Sequence, residues 1–373
     1  MKRVGIITFN NAYSYGAVLQ AYALCKTINN IEGVKAELIN YGNVGKGERF
    51  HKLAFVGIKS ILYNLACNIV TIGSEDIRRC RFRRFIKNDL NLSSIRYKKN
   101  NLSTANNNYD IIIAGSDQVW NPYINQKDTA YLLEFVNENS KKVSYAASFG
   151  LEKFPPQYLE IYKKGLKKFG SLSVRESSGQ TIIKELTGRD SEVVLDPTFL
   201  VNKNEWDEVA SSPSKFRIKN YLLLFLLPGS IQLGTIKDYL EYFVKGTEIQ
   251  IVSIGNNIDK LKSNFKIIST AGPREFLWLI KNANYIVTNS FHGTAFSIIF
   301  EKNFYTLLNN NERDSRLVEI VNKLELGDRL INPQTNKCIL GLNQIDYYLV
   351  KNILDKEIDK SLVFLNSSIF KSC

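Results

Sequence analysis

The sequence predicts an α/β protein built of two Rossmann-like domains facing one another across a cleft. Three observations carry that expectation. Short β-branched runs alternate with helix-length segments, the alternation restarts after a polar stretch at residues 202–219, and 373 residues exceed one ordinary core. At 44% hydrophobic and 23% charged, with no low-complexity tract, the chain can bury the cores that two such units need.

The first unit starts at "RVGIITF" (residues 3–9), which reads as a strand rather than a signal peptide because the apolar run is short and no small-residue cleavage site follows. The polar turn "NNAYSYG" leads into "AVLQAYALCKTINN", rich in Ala and Leu, which fits a buried helix ending near Asn29 and Asn30. "KAELINY" is then a second strand, giving the strand, loop, helix, strand order of a parallel layer. The loop is not GxGxxG, so no dinucleotide fingerprint is assigned.

Residues 53–73 are mostly apolar and helical in pattern, but Lys59 and two asparagines make them a poor membrane span. The basic cluster "IRRCRFRRFIKN" (residues 77–88) follows directly. Such a pair can rest on an anionic bilayer; a core-packed helix with a solvated basic successor is the plainer alternative. "YDIIIAGSDQVWNP" (109–122), "KKVSYAASFG" (141–150) and "SLSVRESSGQTIIKEL" (171–186) each read as a strand running into a turn. In the last, Val174 ends the strand and a helix starts near Ser177 or Ser178. "EVVLDPTFLV" closes this half, with Asp196-Pro197 as a turn.

"YLLLFLLPGS" (221–230) begins the second set of strands; "EIQIVSIGN" and "ANYIVTNSF" continue it, separated by helix-length pieces such as "PREFLWLIKNA". The expected division is therefore an N-terminal domain over 1–205, a C-terminal domain over 206–345, and C-terminal helices over 346–373 that pack back across the junction.

Charge and cysteines bound the partners. The formal net charge of +13 favours phosphates or anionic surfaces. No zinc-finger spacing, RNA-recognition signature or Arg/Gly tail is present, so nucleic acid is not an expected partner. The five cysteines are odd in number and scattered, without metal-ligand spacing, which suits free thiols in a reducing cytoplasm.

Only two histidines occur, His51 and His292. His51 lies in a charged, turn-rich segment where solvent exposure is the default. His292 stands in "NSFHG", between a strand over Tyr285–Thr288 and a helix over Thr294–Phe300. A helix N-terminus offers unpaired N–H groups and a positive dipole end, so an anion is favoured there. Gly293 lets a ligand approach the backbone, and His292 can hydrogen-bond or move a proton near neutral pH. A histidine that only caps the helix or fills a packed turn is the structural alternative.

Taken together, "GIITFNNAYSYGAVLQAYAL", "DIIIAGSDQVWN", "VSYAASFG", "SVRE", "LDPTFL", "GPREFLWLIKNANYIVTNSFHGTAFSIIF" and "NNERDSRLVEIVNKLEL" resemble, in order and spacing, the successive motifs of the polysaccharide pyruvyl transferase family. The resemblance implies a GT-B-like fold with the active site between two Rossmann-like domains. It implies transfer of the enolpyruvyl group of phosphoenolpyruvate (PEP) to two hydroxyls of a sugar, giving a pyruvate ketal in surface or capsular polysaccharide synthesis. PEP is then a donor substrate, and neither a cofactor nor a metal is expected. The acceptor is a sugar, and the basic cluster suits a lipid-linked one at the inner face of a membrane.

By resemblance, Arg175 of "SVRE" and His292 of "SFHG" are carried over as donor-binding and catalytic residues. Arg175 can grip phosphate or carboxylate, or else pair with Glu176 or another acid. Asp117 of "GSDQVW" is placed as the base for the acceptor hydroxyl, with a helix cap as its alternative. Asn11 and Gly16 are expected on the acceptor side, Ser290 and Thr294 at the anion site, and Arg313 and Arg316 as supporting cations. A nucleotide-sugar glycosyltransferase and a non-catalytic sugar-binding protein are the competing readings.

Overall fold

The computed structural model describes residues 1–42, 58–125, 128–227, 233–255, 265–309, 314–333 and 343–370, with side chains at 58–72 and 233–235 left aside. His51 and Arg313 lie outside the described residues.

The first sheet has five strands: β1 (Lys2–Ile7), β2 (Val34–Tyr41), β3 (Leu92–Tyr97), β4 (Ile111–Ala114) and β5 (Lys142–Ser144), in the order β3-β2-β1-β4-β5. A two-stranded pair, β6 (Ser173–Val174) and β7 (Glu192–Val193), continues this edge through the bridges Val143–Ser171 and Ala147–Val174. The second sheet has β8 (Tyr221–Phe225), β9 (Gln250–Ile254), β10 (Lys266–Ile268), β11 (Tyr285–Thr288), β12 (Asn303–Leu307) and β13 (Leu330–Ile331), in the order β10-β9-β8-β11-β12-β13. Every pairing is parallel.

In both sheets the chain starts in the middle, winds one way, then returns to wind the other. That reversal, between β1 and β4 and again between β8 and β11, is the switch point where α/β sheets hold ligands beyond their strand ends. This is the pair of Rossmann-like domains that the alternation of runs predicts, in the GT-B-like form that the family resemblance implies.

The inner strands β1, β4, β8 and β11 are buried along most of their length, which is why they read as continuous apolar runs. Val4 and Ile6 of β1 pack in a core shared with the second lobe, while Ile7 faces the separate cluster around Trp120 and Phe149. The shared core runs through α1 (Tyr15–Asn29), where Tyr15 stacks on Phe276 at 4.5 Å and donates its hydroxyl to Ala271 O at 2.7 Å. Phe276 belongs to α8 (Pro273–Asn282). Tyr15 thus ties the two lobes beside the β1–α1 turn.

Three features differ from the sequence reading. The apolar segment and its basic successor form one helix, α2 (Ile58–Asn88). Several of its arginines are committed rather than solvated: Arg78 donates to Tyr13 O and lies over the Tyr15 and Phe82 rings, and Arg81 pairs with Glu275 at 3.1 Å. The polar stretch after residue 202 contains α6 (Lys203–Val209), started by a capping box between Asn202 and Glu205 and anchored by buried Trp206. The C-terminal segment is a single helix, α11 (Tyr347–Phe370). It begins against the second lobe, with the Tyr347 hydroxyl donating to Lys302 O, and ends on the first, with Lys2 Nζ donating to Ile369 O at 2.7 Å. Among the described residues no helix is long and apolar enough to cross a membrane.

Candidate functional site

The site forms where the C-terminal ends of the strands of one sheet meet those of the other. On the second lobe, β11 ends at Thr288 and α9 (Phe291–Ile299) begins three residues later. The helix therefore starts earlier than the glycine suggests, and His292 sits in its first turn rather than in a loop. Ser290 caps it, accepting from the Gly293 N–H at 3.3 Å. On the first lobe, β6 delivers Arg175 one residue past its end, and the turn after β7 delivers Asp196.

These three side chains converge. Arg175 Nη1 donates to Asp196 Oδ2 at 2.8 Å, and His292 Nε2 lies 3.6 Å from the same oxygen. The Ser116 hydroxyl also donates to Oδ2, while Oδ1 accepts from the Thr198 N–H and hydroxyl. Asp196 is fully buried. Burial alone would raise its pKa, but the nearby His292 imidazole and the charge and hydrogen bond of Arg175 outweigh that and hold it far below the ordinary carboxylate range. Burial likewise works against the Arg175 charge, and the carboxylates of Asp196, Glu176 and Asp117 overcome it, so the guanidinium stays ionised.

The arginine is only partly satisfied. Its side chain is 1% exposed and lies 4.4 Å from the Phe291 ring centre, yet Nε and Nη2 find no hydrogen-bond acceptor among the described residues; nor does His292 Nε2. The nearest charges are long contacts, Glu176 at 3.7 Å from Nε and Asp117 at 3.8 Å from Nη2. Glu176 is held elsewhere, its Oε1 accepting from the Ser148 hydroxyl and the Phe149 and Gly150 N–H groups. Buried donors left without acceptors are costly unless a ligand supplies one.

Asp117 is the most accessible acid here, 18% exposed, in a left-handed turn after β4 (φ 71°) that a non-glycine residue rarely adopts. It faces Arg175, not a helix N-terminus. Both the base and the ion-pair geometry are thus open to it.

Gly16 has a role that its place in the sequence does not reveal. It lies in the first turn of α1, and a Cβ there would stand 2.0 Å from His292 Nδ1. The missing side chain is the space the imidazole fills, so the two lobes interlock at these two residues. Ser14, at the α1 N-cap, gives no side-chain cap, leaving the positive end of α1 beside the imidazole.

Other expected residues separate. Asn11 is exposed on the turn ahead of α1. Gly293 serves packing rather than ligand approach: a Cβ there would stand 2.4 Å from Thr288 Oγ1 and 3.1 Å from Phe225. The Thr294 hydroxyl points away from the anion site and pairs with Thr306 of β12 at 2.8 Å. Arg316, on α10 (Ser315–Lys323), lines a narrow cavity of about 20 Å³ with Arg175, Asp196, Phe291, Glu319 and Lys323, and neither His292 nor Asp117 lines it. The residue that sequence reasoning missed is Asp196. Its Asp-Pro-Thr run correctly marks a turn, and only the long-range contacts show that the second carboxylate oxygen serves the site.

The sequence model of the polysaccharide pyruvyl transferase family matches residues 15–311, from α1 through the end of β12 and beyond α9. The chain belongs to that family. As a member of the polysaccharide pyruvyl transferases it falls among transferases acting on polysaccharide. No curated protein matches it. Among solved structures it is similar to the UDP-GlcNAc 2-epimerase of Methanocaldococcus jannaschii, at 14% identity over 96% of this chain and 92% of that one, with a TM-score of 0.49. It is similar also to the UDP-GlcNAc 2-epimerase of Neisseria meningitidis (9% identity, 97% and 100% coverage, TM-score 0.48) and to the E. coli heptosyltransferase WaaC (11% identity, 95% and 99% coverage, TM-score 0.41).

Proposed function

We propose that this polysaccharide pyruvyl transferase moves the enolpyruvyl group of PEP onto two hydroxyls of a sugar, releasing phosphate and leaving a cyclic pyruvate ketal. One observation carries the reading: Arg175 and His292, from opposite lobes, converge on one buried carboxylate while three of their nitrogens lack acceptors among the described residues. A site with that surplus of buried donors suits a small polyanion.

The chemistry follows from the groups present. His292 supplies a proton to the PEP methylene, which becomes a methyl group and leaves C2 electron-poor. Asp117 takes the proton of the first sugar hydroxyl as its oxygen bonds to C2. The C2–O bond to phosphate then breaks, Arg175 holding the departing charge, and the second hydroxyl closes the ring at C2, its proton leaving with the phosphate. Asp196 touches none of the reacting atoms. It fixes the imidazole and guanidinium relative to each other, and so acts as a positioning residue. The donor is a substrate, and the scheme calls on no cofactor and no metal.

The acceptor reading follows from charge. Arg83 and Arg84 of α2 are exposed, Arg83 also donating to the Tyr13 hydroxyl at 3.0 Å, whereas Arg78 and Arg81 are half-buried in the junction, so contact with an anionic membrane would run through the first pair. A cytoplasmic, peripheral protein working on a lipid-linked sugar fits that face. The test is incubation with PEP and a panel of free and lipid-linked sugars, read by mass spectrometry for added pyruvate and by phosphate release. Pyruvylated sugar in wild type and none in His292→Ala supports the proposal. Phosphate release that persists in a folded His292→Ala protein contradicts it.

A further inference from the structure

Glu176 stands at the N-cap of α5 (Ser177–Thr187), yet its side chain caps nothing there. Short side chains serve that position, because their oxygen reaches the free N–H groups of the first turn; a glutamate is a poor choice for it. The carboxyl group turns back instead toward the segment that follows β5. Its Oε1 accepts from the Ser148 hydroxyl at 2.7 Å, the Phe149 N–H at 3.2 Å and the Gly150 N–H at 3.4 Å, and all four residues are buried.

That segment holds the Asp117 turn. Ala147 bridges Asp117 on one side and Val174 on the other, the Ser148 N–H donates to Asp117 O at 3.0 Å, and Ser148 O accepts from the Trp120 N–H at 3.1 Å. Gly150, at φ 62°, leaves the space that the Gln118 amide fills: a Cβ there would stand 2.0 Å from Gln118 Nε2. Asp117 itself sits at φ 71°, a conformation that a non-glycine residue keeps only where its surroundings impose it. On the far side the Arg175 N–H donates to Ala147 O at 3.4 Å. Residues 147–150 are thus the splint between Asp117 and Arg175, whose side chains face each other at 3.8 Å, and Glu176 fastens that splint.

We propose that Glu176 is a positioning residue: by clamping Ser148, Phe149 and Gly150 it holds the strained Asp117 turn in place against Arg175, and so sets where the acceptor hydroxyl loses its proton. The inference rests on the transfer scheme above, in which Asp117 takes that proton, and adds a residue the scheme does not call on. The rival role is electrostatic. Glu176 Oε2 lies 3.7 Å from Arg175 Nε, and neither atom has a hydrogen bond among the described residues, so the acid would matter only as a neighbour of that cation. Two substitutions separate the roles. Glutamine keeps the length and one acceptor oxygen without the acid; aspartate keeps the acid but is one methylene too short for the clamp.

The experiment measures PEP-dependent transfer to the acceptor that the sugar panel identifies, with kcat and the KM for PEP separated, and amide hydrogen exchange of the same full-length proteins without substrate. Glu176→Asp is expected to lower kcat about 100-fold, the effect of an ångström-scale misplacement, while the KM for PEP stays within about twofold. Glu176→Gln should keep kcat within about tenfold, since its carbonyl still serves the same donors. The amides of Phe149, Gly150 and residues 117–120 should exchange faster in Glu176→Asp, with those of β8 and β11 unchanged. An active aspartate variant beside an inactive glutamine one overturns the proposal in favour of the electrostatic role. Unchanged kcat in both variants, a loss carried by the KM for PEP, or exchange quickened equally across both sheets overturns it too. If Glu176→Asp does not fold, Ser148→Ala decides, because it removes one clamped donor: a fall in kcat of about tenfold supports the clamp, and no fall overturns it. Local exchange that quickens as expected, without any PEP-dependent transfer in wild type, would sink the transfer scheme and leave the clamp standing; transfer in wild type with exchange unchanged in Glu176→Asp would do the reverse.

Discussion

Replacing Gly16 by alanine should disable the enzyme while barely unfolding it. The added Cβ would stand 2.0 Å from His292 Nδ1, and ordinary carbon contacts need about 3.5 Å, so ring or lobe must move by about 1.5 Å. A displacement of that size at a reacting group costs about 100-fold in rate. Stability moves less. Alanine improves helix propensity by about 1 kcal/mol, and overpacking costs about 1–3 kcal/mol, leaving a net loss of about 0–2 kcal/mol. The assay pairs PEP-dependent phosphate release with thermal unfolding of the same preparations. A Gly16→Ala protein that turns over like wild type would refute the placement of the imidazole against α1, and with it the interlocked site.

The remaining predictions concern neighbours of that contact. Asp196→Ala leaves Arg175 buried without its partner and should cost about 3–5 kcal/mol in urea unfolding, with activity lost. The Asp196 pKa is depressed in the folded state, so its stabilisation is complete above about pH 4, the unfolded carboxylate value, and is lost as pH falls further; acid titration of Asp196→Asn should show a shallower loss in that window. Thr294→Val strands the Thr306 hydroxyl and should cost about 1–3 kcal/mol with transfer rates unchanged, whereas a fall in rate would place Thr294 in the site after all. Vesicles containing acidic lipid should retain the protein at low salt and release an Arg83→Gln, Arg84→Gln double variant; equal retention of both would remove the membrane reading.

How much of this was legible in the sequence depends on the range of the forces involved. The β1–α1–β2 unit and the succession of β11 by α9 read correctly because β1 and β11 and both helices are mostly apolar, although α9 starts three residues earlier than the sequence suggested. β3 and β10 did not, since they are edge strands: β3 exposes three successive side chains, and β10 is only three residues long. α6 hid in a polar stretch because just Trp206 and Val209 of it are buried, although its Asn202–Glu205 box was a readable start signal. Within the site, His292 stood out as one of only two histidines and Asp117 by its place at a strand end, while Arg175 came from the family resemblance. The service of Gly16 to His292 and of Asp196 to Arg175 and His292 lies in contacts far apart in the chain, which no local pattern encodes.

The account stands or falls on whether the junction holds the donor through Arg175 and His292. Titrating PEP into wild type, Arg175→Lys and His292→Gln, all checked for folding, measures that directly. Saturable binding in wild type, weakened about tenfold or more by each substitution, is the predicted result, because each removes a charged or hydrogen-bonding partner of a buried anion. No binding to wild type, or equal affinity in all three proteins, would contradict it.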